Sequence, residues 1–169
     1  PNPITGRHVE GPMLDSENVS TITEFPVPLR HGLTMGELAR MVNGERHLNA
    51  DLHIAEITGF GDAFRFDGIF EQVGADWMKS RDLVDYLSTR DIPGVSVYPV
   101  QFTPKDSYFS GKKIEGVRFV VTDREQFSSA RFGMELARAY AKLFPGRIPY
   151  AKNMKLIGSR EAMEWMSGA

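Results

Sequence analysis

One run of residues near the C-terminal end constrains the fold more than any other feature of this sequence. Glu115 to Asp123 has a nearly continuous apolar centre, a pattern that predicts a strand buried on both faces. The residues that follow, from about Ser128 to Phe144, carry apolar side chains at helical spacing and are ended by Pro145-Gly146. They predict an amphipathic helix. Its apolar stripe consists of Phe132, Leu136, Ala139, Tyr140 and Leu143.

Further elements follow from periodicity and turn residues. The sequence predicts a helix over 80–90 capped by Ser80, strands over 50–57 and 95–102, and a short helix over 159–165. Pro99 places the second of these strands at a sheet edge or at a bulge. Residues 1–30 are rich in proline and turn residues and predict an extended loop. Strands that alternate with helices indicate an α/β (or α+β) class, with a mixed sheet flanked by helices.

The stretch Pro28 to Glu45 contains the clearest local signal. Thr34 followed by Glu37 forms a capping box, and the helix that it starts is expected to end near Gly44. Arg30-His31-Gly32 precedes this helix N-terminus, where free backbone N–H groups favour anions. An ordinary entry loop to a surface helix explains the same pattern.

Composition excludes several classes of function. A net charge of −2 gives no basic footprint, so nucleic acid is not an expected partner. No apolar run approaches the ~20 residues that span a bilayer. The absence of cysteine removes disulfides, thiolate catalysis and Cys-bound zinc. The four histidines lack metal-binding spacing, and no phosphate-binding or nucleotide-binding loop is present, so neither a metal nor a cofactor is predicted.

The polar residues best placed for a site are Glu10 and His31, since both lie in predicted loops near the capped helix. The structural alternative is that Glu10 pairs with a nearby arginine and that His31 caps a backbone carbonyl. Trp77 and Trp165 could stack on a sugar ring, although aromatic residues beside methionine usually belong to a core.

Ordered blocks along nearly the whole chain resemble the NamZ/YbbC-type exo-β-N-acetylmuramidases. The blocks are Pro-Asn-Pro-Ile at 1–4, Val-Glu-Gly-Pro at 9–12, residues 30–39, Phe-Glu-Gln-Val-Gly-Ala at 70–75, Pro-Gly-Val at 93–95, Phe-Thr-Pro at 102–104, Gly-Val-Arg at 116–118 and Val-Thr-Asp at 121–123. The resemblance implies a Rossmann-like N-terminal domain followed by a smaller α/β domain, with the active site in the cleft between them.

The resemblance also predicts how this chain is organised. Residues 1–30 correspond to the end of the Rossmann-like domain and 31–169 to the smaller α/β domain. The family's Pro-Glu-His-Gly motif, with its proposed catalytic acid, has no counterpart here. Between Asp67 and Gly68 the family carries some tens of residues that this chain lacks. Asn2, Glu10 and His31 match family motif positions and are predicted to bind substrate.

Two functions follow as hypotheses. The first is part of a muramidase that hydrolyses terminal N-acetylmuramic acid (MurNAc) from cell-wall fragments and is inactive without the upstream domain. The second is a non-catalytic module that binds muramyl sugars or serves assembly. In both cases the expected partner is a sugar derived from peptidoglycan. Export is common in the family, which favours the periplasm or the cell exterior over the cytoplasm.

Overall fold

Two antiparallel sheets and five helices appear in the computed structural model of the protein, which describes residues 9–21, 24–56, 71–106 and 108–168. In chain order the elements are β1 (Glu10–Met13), β2 (Pro28–Arg30), α1 (Met35–Glu45), β3 (Gln72–Ala75), α2 (Ser80–Ser88), β4 (Val95–Phe102), β5 (Ile114–Val121), α3 (Ser129–Leu143), α4 (Met154–Ile157) and α5 (Arg160–Ser167). No helix in these ranges is both long enough and apolar enough to cross a membrane.

The main sheet has the strand order β3-β5-β4, and both of its pairings are antiparallel. Helices α2 and α3 pack against this sheet, which confirms the predicted α/β (or α+β) class with a sheet flanked by helices. The sheet was predicted to be mixed, whereas every strand pairing in the described residues is antiparallel. The outer position of β4 also confirms the edge strand that Pro99 indicates, since Pro99 lies opposite Val117 of the central strand. Burial of β5 on both faces was wrongly predicted, because Val120 is 44% exposed. In a sheet covered by helices on one side, the outer face of its central strand can remain open.

The core lies between this sheet and helices α2 and α3. Leu83 of α2 and Val117 of β5 are completely buried, and Ala139 of α3 packs in the same cluster. Trp77 belongs to this cluster, since its ring centroid lies 5.3 Å from that of Phe144. Its surroundings are therefore those of a core residue.

Two glycines face each other where β3 pairs with β5. Gly74 lies opposite Gly116 in the ladder. A Cβ atom added to Gly116 would lie 2.1 Å from the carbonyl oxygen of Val73. A Cβ atom added to Gly74 would lie 2.9 Å from the ring of Phe102. This pairing therefore has no room for a methyl group on either strand.

Helix α2 begins one residue earlier than predicted. Its N-cap is Lys79, which makes no side-chain capping bond, and Ser80 is the first helical residue. The Ser80 backbone N–H and hydroxyl both donate to Oε2 of Glu115 at 3.0 Å. These bonds lower the pKa of the Glu115 carboxyl. The prediction that Ser80 is the N-cap was wrong because the cap is supplied by a carboxylate 35 residues away.

The predicted strand over 50–57 does not form within 50–56, and Ile57 lies outside the described residues. The side-chain amide of Asn43 bonds both the N–H and the C=O of Ala50, at 2.9 and 3.0 Å. The chain then lies along α1, with Ile54 against Gly36. The backbone of Ala50 is therefore hydrogen-bonded by a side chain of α1 and not by a neighbouring strand.

Helix α1 begins with the predicted capping box. The Thr34 hydroxyl accepts from the Glu37 N–H at 3.2 Å, and Glu37 Oε2 accepts from the Thr34 N–H at 2.8 Å. The bonds from Thr34 lower the pKa of Glu37. At its other end the helix runs to Glu45 and is capped by Arg46, so the predicted stop at Gly44 was one residue early.

Replacing Thr34 by alanine should destabilise α1 by about 1 kcal/mol through loss of the N-cap. Because α1 contains no buried residue, the effect should appear as local opening. We expect the α1 amide protons to exchange about fivefold faster, measured by hydrogen exchange. The α3 amides serve as the internal control, and unchanged exchange in α1 would show that Thr34 does not stabilise the helix.

The predicted loop over 1–30 contains two strands in its described part, β1 and β2, which pair in antiparallel fashion. A turn of 3₁₀ helix at Ser16–Asn18 follows β1. The Asp15 carboxylate accepts from the Arg160 N–H at 2.6 Å, and the Asp15 N–H donates to the Gly158 carbonyl at 2.7 Å. This segment is therefore attached to the C-terminal helices.

Candidate functional site

The β1–β2 pair brings Glu10 opposite Arg30. Arg30 Nη1 lies 3.2 Å from Glu10 Oε2, and the two side chains are 9% and 18% exposed. Glu10 therefore pairs with an arginine, as the structural alternative for this residue proposed. The pair leaves Glu10 partly accessible to solvent.

Helix α3 supplies two further donors to the same oxygen. The Ser128 hydroxyl donates to Glu10 Oε2 at 3.0 Å, and the Ala130 N–H donates to it at 3.4 Å. Ser128 is also the N-cap of α3 and accepts from the Arg131 N–H at 3.1 Å. A carboxylate at a helix N-terminus is stabilised by the free N–H groups and the helix dipole.

Glu10 is thus fixed as a hydrogen-bond acceptor through one of its two oxygens. Within the described part of the chain, none of its hydrogen bonds uses Oε1. That oxygen can accept a hydrogen bond from a ligand hydroxyl.

An open depression of about 360 Å³ lies beside this cluster, between the start of α3 and α5. Ser128, Arg131 and Trp165 are among the residues that line it. The guanidinium of Arg138 lies 4.6 Å from the centroid of the Trp165 ring, a cation–π contact. The depression therefore combines the apolar surface of Trp165 with the hydrogen-bond donors of Ser128 and Arg131, as is common in small-molecule sites.

Glu135 also lines the depression, and sequence analysis did not single it out. It is 5% exposed and binds Arg90 in a bidentate manner, with Nε at 2.8 Å and Nη2 at 3.2 Å. The available signal was its spacing, because Glu135 lies three residues after Phe132 on the apolar side of α3. A carboxylate at such a position requires a partner.

His31 lies in the loop between β2 and α1 and is half-buried. Its Nδ1 accepts from the Leu33 N–H at 3.0 Å, so the neutral ring carries its proton on Nε2. Burial lowers the pKa of the imidazole below its ordinary value of 6.5. His31 bonds an N–H, so the alternative that it caps a carbonyl was wrong.

The structure does not unite the three predicted site residues. Among the residues it describes, no hydrogen bond or ion pair joins His31 to Glu10. Asn2 lies outside the described residues. Their binding roles stay predictions. A second depression, of about 450 Å³ beside α1, is lined by neither Glu10 nor His31.

The lowered pKa of His31 gives stability a defined pH dependence. His31 takes up a proton at a higher pH in the unfolded chain than in the folded chain. The contribution of neutral His31 to the free energy of unfolding is therefore present above about pH 6.5 and is lost as the pH falls below it. We expect His31→Asn to reduce the loss of unfolding free energy between about pH 7.5 and about pH 5, because the amide oxygen can replace Nδ1 but does not titrate. Urea unfolding at the two pH values measures it, and equal losses in both proteins would contradict the assignment.

Fold and site together define an α/β protein with an open depression at a helix N-terminus. Its family is given by two sequence profiles of the exo-β-N-acetylmuramidase NamZ, the N-terminal one matching residues 1–87 and the C-terminal one residues 61–169. Each covers more than half of the sequence, so this chain belongs to the NamZ family. The two matches overlap over 61–87, and the boundary at residue 30 stays a prediction.

One relative and one solved structure are similar to this chain. The peptidoglycan β-N-acetylmuramidase NamZ of Bacillus subtilis is 29% identical over 185 residues, which cover 86% of this chain and 45% of the relative. A crystal structure of a DUF1343 family protein from Bacteroides fragilis superposes with a TM-score of 0.79 at 22% identity, and the match covers 97% of this chain and 56% of that one. The structural match shows the fold, and this chain spans about half the length of both proteins.

The alignment with the Bacillus protein also indicates missing residues. It takes in 86% of 169 residues, about 145, yet it runs over 185, so about 40 positions have no counterpart in this chain. This number agrees in size with the gap predicted between Asp67 and Gly68, two residues outside the described part.

Proposed function

We propose that this chain is part of an exo-β-N-acetylmuramidase that acts on terminal MurNAc of peptidoglycan fragments. Membership of the NamZ family and the stated activity of the Bacillus relative support this substrate. The observation that carries the proposal for a site is the depression lined by Ser128 and Trp165, with Glu10 hydrogen-bonded to Ser128.

Each of these groups has a chemical counterpart in a sugar. Glu10 Oε1 would accept from a ring hydroxyl, and the indole of Trp165 would pack against an apolar sugar face. Arg131 is an exposed residue whose Nη2 donates to the Asp91 carbonyl at 2.9 Å, and the positive charge of its guanidinium would attract the lactyl carboxylate of MurNAc. His31, with its proton on Nε2, would donate to an acceptor of the same ligand, and Asn2 belongs to the proposed site by its motif position.

Hydrolysis requires more than these groups provide. Glycosidases use a carboxylic acid that protonates the leaving oxygen and a second carboxylate on the other side of the bond. Oε2 of Glu10 already accepts two hydrogen bonds and forms an ion pair with Arg30, so we assign Glu10 to binding rather than to proton donation. We therefore propose that this chain binds the sugar and that the catalytic acid comes from the part of the family that it does not contain.

The test is an NMR titration of the 169-residue chain with a MurNAc–GlcNAc disaccharide, recording protein amides and sugar anomeric signals together. We expect shifts at Ser128 and at the Trp165 indole without release of MurNAc. Glu10→Gln should weaken binding at least about tenfold, because it removes a charged acceptor. Glu161→Gln, at an exposed position of α5, is the matched control and should bind like the wild type. Release of MurNAc by this chain would disprove the assignment of the acid, and a folded chain without shifts would disprove the site.

A non-catalytic muramyl-sugar binding or assembly module is the second candidate. The two hydrogen bonds and the ion pair that hold Glu10 favour it, since this geometry suits binding. Adding the N-terminal part of the Bacillus relative separates the two. Release of MurNAc on mixing supports the muramidase, whereas sugar binding without release in the mixture supports the module.

A further inference from the structure

Apolar residues are distributed unequally along this chain. Among the residues that the structure describes, twelve of the thirteen buried apolar ones lie between Ala75 and Met166, and Leu14 is the exception. In contrast, seven of the twelve large apolar residues that are exposed lie in residues 9–56, about a third of the described chain. We call their side chains the N-terminal apolar surface: Val9, Met13, Val19, Leu29, Met35, Leu48 and Leu52. This third of the chain has almost no core of its own, although its elements are ordered.

The β1–β2 pair contributes part of this surface. Burial alternates along both strands, so the side that carries Glu10 and Arg30 faces the domain. On the other side Met13 is 51% and Leu29 61% exposed. Exposed apolar residues concentrated in this way mark an interaction site more often than scattered ones do.

Helix α1 shows the same property. It has a capping box and an amphipathic sequence, yet none of its 11 residues is buried. It makes no extended contact with any other helix or strand that the structure describes. Its packing is local, with Ile54 against Gly36 and the guanidinium of Arg46 4.7 Å from the ring centroid of Phe25. Helices of this length take most of their stability from packing of an apolar face. No helix or strand within the described ranges covers the apolar face of α1.

The family match identifies that partner. All seven residues of the N-terminal apolar surface lie within the match to the N-terminal NamZ domain, over residues 1–87. The relatives are about twice as long as this chain. We infer that the N-terminal apolar surface binds the part of the NamZ N-terminal domain that this sequence does not contain, and that α1 becomes buried there. The inference rests on family membership and not on the proposed catalysis.

The test mixes the 169-residue chain with a polypeptide made of the Bacillus NamZ residues that precede the aligned stretch, with no sugar present. We expect binding by isothermal titration calorimetry, and hydrogen exchange of α1 amides slowed at least about tenfold in the complex. Leu29→Lys combined with Met35→Lys should weaken binding at least about tenfold. The control, Leu156→Lys with Tyr108→Lys, changes two exposed apolar residues outside this surface and should stay within about twofold.

Both double variants replace exposed side chains, so circular dichroism and urea unfolding should match the wild type, which separates loss of binding from loss of folding. Three results would overturn the inference. They are absence of binding together with unchanged α1 exchange, equal weakening by both double variants, and a homodimer of this chain that the Leu29 and Met35 changes dissociate. In the last case a second copy covers the surface. Because no sugar is used, these outcomes are independent of whether MurNAc is bound.

Discussion

Replacing Gly116 by alanine is expected to lower the free energy of unfolding by at least about 3 kcal/mol, the upper range for overpacking. The added methyl would lie 2.1 Å from the Val73 carbonyl oxygen and 2.8 Å from the Gly74 Cα. Both are backbone atoms of β3, so no side-chain rotation can relieve the clash and the two strands must separate. Urea unfolding followed by circular dichroism measures the loss.

Gly133 provides the matched control. It lies in the exposed part of α3, and a Cβ atom there would meet nothing within 4 Å. Gly133→Ala should stabilise the protein by about 0.5–1 kcal/mol, because alanine loses less backbone entropy than glycine in a helix. Equal unfolding midpoints for Gly116→Ala and the wild type would show that β3 does not pair with β5 as described.

Replacing Arg30 by methionine is expected to cost about 3 kcal/mol, because it leaves the Glu10 carboxylate mostly buried without its cation. Methionine keeps much of the arginine stem, so lost packing contributes less than the lost charge. In the double variant Arg30→Met with Glu10→Gln, the uncompensated charge is gone while Ser128 can still donate to the side chain. We expect it to recover at least about half of the loss, measured by urea unfolding in a double-mutant cycle.

The control for this prediction is an exposed ion pair in the same molecule. Arg160 pairs with Glu17, and their side chains are 63% and 56% exposed. Arg160→Met should cost less than about 1 kcal/mol, as is usual for pairs in contact with water. If Arg30→Met costs no more than Arg160→Met, burial does not strengthen the Glu10–Arg30 interaction.

Local sequence signals predicted the elements that need no distant partner. The stripe from Phe132 to Leu143 gives α3, and Thr34 with Glu37 gives the start of α1, because both patterns lie within one helix. Pro99 marked the edge strand because its missing N–H excludes it from a central strand. In these cases the physical cause and its effect are a few residues apart.

Predictions failed where a distant group decided the outcome. Serine is a common N-cap residue, but the Ser80 N–H donates to the carboxylate of Glu115, 35 residues further along the chain. The alternation of Leu52 and Ile54 is typical of a strand, but the side-chain amide of Asn43 bonds the backbone N–H and C=O of Ala50. Neither contact has a signal in a single sequence.

The candidate site shows the same limit. Glu10 and His31 could be selected because they lie in segments predicted to be loops. Their partners could not, since Ser128 is 118 residues from Glu10 and Trp165 is on another helix. Sequence analysis could predict that Glu10 pairs with an arginine, but it could not tell which one. The resemblance to the NamZ family named the substrate class, which no residue pattern within this chain specifies.

The placement of the two tryptophans has a practical consequence. Trp77 is packed in the core with Tyr140 and Phe144, whereas Trp165 lines the depression under the Arg138 guanidinium. The intrinsic fluorescence of this protein therefore has two sources in two environments. A Trp77→Phe protein would emit from the depression alone and report ligand binding, while a Trp165→Phe protein would emit from the core and report unfolding. Fluorescence of the first variant would then follow ligand occupancy, and fluorescence of the second would follow stability.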